Sequence, residues 1–169
     1  MKKKNIRFLR IAKICLINFL LLFTLSSCRQ KLPDFTETNK DVVLDPDYTS
    51  VTIPPNIAPL NFRIKENADN YSVRFYNSDG IDFTIHSKDG SIEIPMKKWR
   101  RLLSASVSKE FYMDIIVNKS HQWHKFNTVT NYIVSDSIDK YLVYRLIDPE
   151  FETWNIMGIY QRDLENFRE

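Results

Sequence analysis

Apolar residues at every second position, in short runs divided by turn residues, constrain this chain more than any other feature. Leu60, Phe62 and Ile64 share one side of an extended segment, with Asn61 and Arg63 on the other. Tyr71, Val73 and Phe75 repeat the pattern against Ser72 and Arg74, and Ile81, Phe83 and Ile85 repeat it against Asp82, Thr84 and His86. A side-chain period of two marks strands with one face on a core and one in water. Asn77-Ser78-Asp79-Gly80 and Ser87-Lys88-Asp89-Gly90 punctuate the runs as hairpin loops. Thr49, Val51 and Ile53 alternate until Pro54-Pro55 stop them, as an edge strand must stop.

The period changes once. From Met96 to Ala105, Trp99, Leu102 and Leu103 fall on one helical face, and Lys97, Lys98, Arg100 and Arg101 fall largely elsewhere. Pro95 suits the start of that helix, where its missing N–H needs no partner. Phe111, Met113, Ile115 and Val117 then form the longest strand. Tyr112 and Ile116 make its other face partly apolar too, which predicts a central position. Gln122–Val134 returns along it after a turn at Asn118-Lys119-Ser120. Phe126, Tyr132 and Val134 have one parity and Trp123 and Val129 the other, so a bulge is expected. Six to eight short strands with one helix predict a mostly β domain, an antiparallel sandwich of immunoglobulin or fibronectin type III kind.

The N-terminus is of another kind. Lys2, Lys3, Lys4, Arg7, Arg10 and Lys13 precede a 12-residue uncharged run from Ile14 to Leu25, which is short for a membrane-spanning helix. Leu25-Ser26-Ser27-Cys28 follows, and the whole resembles a bacterial lipoprotein signal. The resemblance implies that Cys28 is lipidated and heads the mature chain. Residues 1–27 are then signal peptide, 28–47 a polar tether with a short ordered piece at Val42–Leu44, and 48–140 the sandwich. Residues 141–169 form an apolar tail holding Trp154, Met157, Ile159, Tyr160, Leu164 and Phe167.

Without residues 1–27 the chain carries 18 basic against 21 acidic side chains, a net of −3, although the full chain is +3. Its basic character therefore belongs to the signal and gives no support for nucleic-acid binding. Cys15 lies in the apolar run, so no disulfide, CxxC knuckle or CxxCH haem attachment is available beyond it. Three glycines leave no room for a glycine-rich phosphate loop.

No residue set in the sequence carries a catalytic mechanism. His121 and His124 are three apart, which on a strand turns them to opposite faces and disfavours chelation. His86 is isolated at a solvent-facing position and is assigned no role. Asp148, Glu150 and Glu152 flank Pro149 as solvated charges. No cofactor or metal is expected. Aromatic residues carry more weight. Most must be core, but Trp123 sits near a turn, and with Tyr132 it offers a platform on which a sugar ring can stack. Trp154 and Tyr160 in the tail are candidates for a partner surface.

Two stretches resemble a known family. They are Asp47-Tyr48-Thr49-Ser50-Val51-Thr52-Ile53-Pro54-Pro55-Asn56-Ile57-Ala58-Pro59-Leu60-Asn61-Phe62, and Tyr144-Arg145-Leu146-Ile147-Asp148-Pro149 continuing to Met157–Phe167. They look like the N-terminal region of Bacteroidetes lipoproteins of the TolB-like or cytochrome c biosynthesis type. Such proteins continue into a CxxCH segment and β-propeller repeats, to which no residue here corresponds, so haem attachment does not carry over. The resemblance implies a leading immunoglobulin-like module, truncated before a C-terminal domain and held on the periplasmic side of the outer membrane. Docking of a protein partner or of that propeller is the function expected, without catalysis. The alternative is a carbohydrate-binding lipoprotein of a glycan-uptake system.

Overall fold

The computed structural model of the chain describes residues 33–146 and 158–167. In chain order the elements are β1 (Thr36–Glu37), β2 (Leu44–Asp45), β3 (Thr52–Ile53), β4 (Phe62–Ile64), β5 (Asn70–Tyr76), β6 (Asp82–Ser87) and β7 (Ser91–Ile92). Helix α1 (Met96–Ala105) follows, then β8 (Lys109–Lys119), β9 (Gln122–Lys125), β10 (Val129–Ile133), β11 (Tyr141–Leu146) and β12 (Gly158–Asp163). The expected helix spans the residues whose period had changed, starting behind Pro95 and burying Trp99, Leu102 and Leu103.

β8 is the central strand, as its two apolar faces predict. One edge pairs antiparallel with β5, which pairs in turn with β6. The other edge is shared, β9 pairing with its C-terminal half and β10 with its N-terminal half. Lys125 faces Ile116 and Val129 faces Met113, so four steps on the returning chain match three on β8. That one extra residue is the expected bulge. It lets both Phe126 and Val129 turn inward and leaves Tyr132 outward, 40% exposed. β1 runs parallel to β9, and β3 parallel to β10.

β2, β4 and β7 form a second, three-stranded antiparallel sheet. Its Leu44, Phe62, Ile64 and Ile92 pack with Tyr71, Val73, Phe75, Phe111, Met113, Ile115 and Val117 of the large sheet in one core. Two sheets, antiparallel except where β1 joins β9 and β3 joins β10, enclose a shared core and make a sandwich. Its strand order is immunoglobulin-like, with β2-β4-β7 as A-B-E and β6-β5-β8-β10 as C′-C-F-G. The sandwich takes in more chain than the sequence indicates. Within the stretch read as a tether, β1 and β2 are paired, and Val42 and Leu44 are 6% and 5% exposed. Two-residue strands have no visible period, so only their distant partners identify them.

Loop chemistry fixes the ends. The Asn77 side-chain oxygen accepts from the N–H groups of Asp79 and Ile81, and its amide donates to Ser106 Oγ at 2.8 Å, tying the β5–β6 loop to the end of α1. Gly90 has φ +81°, and a Cβ there would stand 3.0 Å from the Ile64 carbonyl oxygen, so glycine is required on both counts. The β8–β9 turn is less well matched. Ser120 and His121 both have positive φ, 52° and 66°, as a two-residue type I′ turn demands, yet neither is glycine. Replacing the pair by Asn-Gly is expected to raise stability by about 1 kcal/mol, because left-handed backbone is costly for a residue with a Cβ. An unchanged urea midpoint would show that these side chains repay the strain elsewhere.

Candidate functional site

The outward face of the large sheet gathers the polar and aromatic side chains of β5, β6, β8, β9 and β10. Register places Arg74 opposite Asp114 and Tyr76 opposite Tyr112. Asp114 is 5% exposed. It accepts from Thr128 Oγ1 at 2.7 Å, with Lys125 Nζ at 3.5 Å and Arg74 Nη1 at 3.7 Å. Arg74 also donates through Nε and Nη2 to both oxygens of Asp82, and its guanidinium lies 4.5 Å from the centre of the Tyr76 ring. The Asp82 bond raises the Arg74 pKa, so this cation is permanent. Burial, followed by the charge of Asp114, pushes the Tyr76 phenol up, while the bond donated to Glu110 raises Tyr112. Both phenols are neutral at pH 7. The result is a neutral aromatic pair beside a charge-balanced strip.

Trp123 lies at one end of this face. It pairs with Asn118 of β8, whereas Tyr132 pairs with Glu110. Eight residues of strand separate those partners, about 27 Å at the usual rise. The two aromatics share a face but do not form a single platform for one sugar ring. Trp123 instead lines an open depression of about 500 Å³ with Asn70, Tyr71, His86, Ser87 and Lys88. Tyr132 stands apart near the start of β8.

The tail forms a second surface. β11 and β12 make a two-stranded antiparallel ribbon in which Tyr144 stacks on Tyr160 at 5.8 Å. Tyr141, Val143 and Ile159 share one side and are 50%, 62% and 80% exposed; Leu142 and Tyr160 are exposed on the other. The base of the ribbon is tied to the sandwich. Asn56 Nδ2 donates to the Ile138 carbonyl and to Glu165, the Ile138 N–H donates back to Asn56 Oδ1, and Ala58 N–H donates to the Leu164 carbonyl at 2.8 Å. Burial raises the Asp163 pKa, but the Glu165 N–H, the Asn166 amide and Lys140 outweigh it and hold this carboxyl below its ordinary range. Its contribution is therefore complete above the unfolded carboxylate range and lost as pH falls through the folded value. Tyr160 is thus a positioned surface residue. Trp154 and Cys28 lie outside the described residues.

Among the described residues, no group of three or more His, Cys, Asp or Glu is placed to hold a metal. His121 sits in the turn and His124 on β9. No described helix is long and apolar enough to cross a membrane. The sequence did not single out Asn56, Asn70, Asp114 or Asp163. Each acts through a partner brought in by the fold, and no local pattern marks it. Protein-family models give no match to the chain, and neither do curated proteins.

Proposed function

We propose that this is a non-catalytic, lipid-anchored cell-envelope protein whose immunoglobulin-like module docks a protein partner. The exposed apolar ribbon β11–β12 carries this reading. Water-exposed apolar patches mark interaction surfaces, and the outer edges of a two-stranded ribbon present backbone groups to an added strand. The basic and apolar N-terminus ending at Cys28 supports the anchor. The resemblance to the leading module of TolB-like lipoproteins supports a propeller or a neighbouring envelope protein as the partner, on the periplasmic side of the outer membrane.

The test uses two variants of the full chain. Cys28→Ala is expected to release the protein from membranes, because acyl chains supply the stable attachment. The released protein is expected to self-associate or bind a hydrophobic dye, and Val143→Lys with Ile159→Lys is expected to abolish both. Those exposed positions tolerate lysine within about 0.5 kcal/mol of stability. A monodisperse monomer that binds no dye and unfolds cooperatively would count against docking. Removal of the domain by protease added to whole cells would overturn the periplasmic orientation.

A further inference from the structure

We infer that the depression beside Trp123 is a saccharide subsite, and that it favours a sugar bearing a carboxylate. Three separate chain segments build it. β5 contributes Asn70 and Tyr71, the end of β6 with its loop contributes His86, Ser87 and Lys88, and β9 contributes Trp123. Its volume, about 500 Å³, lies within the range of small-ligand sites.

The lining has the two components a pyranose needs. Trp123 is half-buried, so one part of the indole is held by the sheet while another faces the depression. A ring face of this kind packs on the C–H side of a sugar, and the indole N–H remains available at its edge. Around it stand the Asn70 amide, the His86 imidazole and the Lys88 ammonium. None of these four side chains makes a hydrogen bond or ion pair within the described chain, whereas most polar side chains nearby are engaged. Ser87 is bonded to Asp89 and Gly90, Lys119 to Glu66, and Ser120 N–H to Asp69. Unspent donors and acceptors grouped around an aromatic face match the hydroxyl rim of a pyranose.

Charge sets the finer preference. Among the described residues no Asp or Glu lines the depression, and Lys88 is the one formal cation that does. The adjacent acids are turned to other partners. Asp89 accepts from Ser87 and Ser91 and lies 3.8 Å from Arg63, and Asp69 accepts from Ser120. An uncompensated ammonium at the rim favours a carboxylate on the ligand. This site is independent of the β11–β12 docking surface and remains if that proposal fails.

The test is calorimetric titration of the full chain in detergent with tetragalacturonate, against cellotetraose as the neutral comparison. Wild type is expected to bind the acidic tetramer at least tenfold more tightly. Trp123→Ala should abolish binding of both, and Lys88→Ala should reduce the acidic ligand to the affinity of the neutral one. Tyr132→Ala, about 27 Å away along the sheet, should change neither. Absence of binding to both sugars by wild type, or binding that survives Trp123→Ala, would overturn the site. Equal affinity for the two tetramers would overturn the carboxylate preference. Far-ultraviolet circular dichroism of each variant separates loss of binding from loss of fold.

Discussion

Trp99→Ala is expected to cost about 3–5 kcal/mol of folding stability, the largest effect of any single substitution considered. Trp99 has no exposed surface. Its ring meets Phe111 edge-on at 5.9 Å, and its Nε1–H donates to the Ile57 carbonyl at 2.9 Å. One side chain therefore joins α1, the central strand β8 and the loop between β3 and β4. Alanine removes the packing, opens a cavity, and leaves the Ile57 carbonyl without that donor. Trp99→Phe separates these effects. It retains much of the ring packing and is expected to cost about 1–3 kcal/mol, chiefly for the lost hydrogen bond. Urea unfolding followed by far-ultraviolet circular dichroism measures both without relying on the tryptophan removed. A domain of ordinary stability has about 5–15 kcal/mol in hand, so the alanine variant will be close to its limit. A cost below about 1 kcal/mol would mean that α1 is an appendage and not part of the core.

The sandwich was legible because its longer strands alternate, and alternation is a local property. Phe111 to Val117 announced a central strand, and Pro95 with Trp99, Leu102 and Leu103 announced the helix. The parity clash between Phe126 and Val129 announced the bulge, because both residues are apolar and only an inserted residue turns both inward. β1 and β2 were hidden for the opposite reason. Thr36-Glu37 and Leu44-Asp45 are short and mixed in polarity, and their structure comes from pairing with His124-Lys125 and Arg63-Ile64. Trp123 was visible as an aromatic near a turn. Its partner was misplaced because Tyr132 is nearby in sequence, while the bulged return strand carries it to the far end of the sheet. Its actual neighbours, Asn70, His86 and Lys88, come from β5 and from the end of β6 and its loop, 53, 37 and 35 residues earlier. Asp114 was also illegible, since a lone acid between Met113 and Ile115 reads as any solvent-facing residue until Arg74 and Lys125 are placed beside it.

That carboxylate provides the second large effect. Asp114→Ala is expected to destabilise the fold by about 2–4 kcal/mol, toward the cost of breaking a buried ion pair. Lys125 and Arg74, with side chains 15% and 31% exposed, would each lose a near anion. The cost stays below the full buried-pair value because Arg74 retains Asp82, and Lys125 retains Glu37 at 3.6 Å. Asp114→Asn preserves an acceptor for Thr128 but removes the charge, so it should fall between alanine and wild type. Lys109→Ala supplies the contrast. Its pair with Asp79 is shorter, 2.7 Å, but both side chains are 40% exposed or more, and its loss should cost under about 1 kcal/mol. Salt distinguishes the two cases. Raising ionic strength to 1 M should erase the Lys109 deficit and leave most of the Asp114 deficit, since buried pairs are poorly screened. The damage should also be local. Thr128 belongs to the bulge between β9 and β10, so amide exchange in Asp114→Ala should accelerate first along Gln122–Ile133, the strand that carries both Trp123 and Tyr132. Uniform acceleration across the sandwich, or a cost under about 1 kcal/mol, would show that the Asp114 cluster rides on the bulge without holding it.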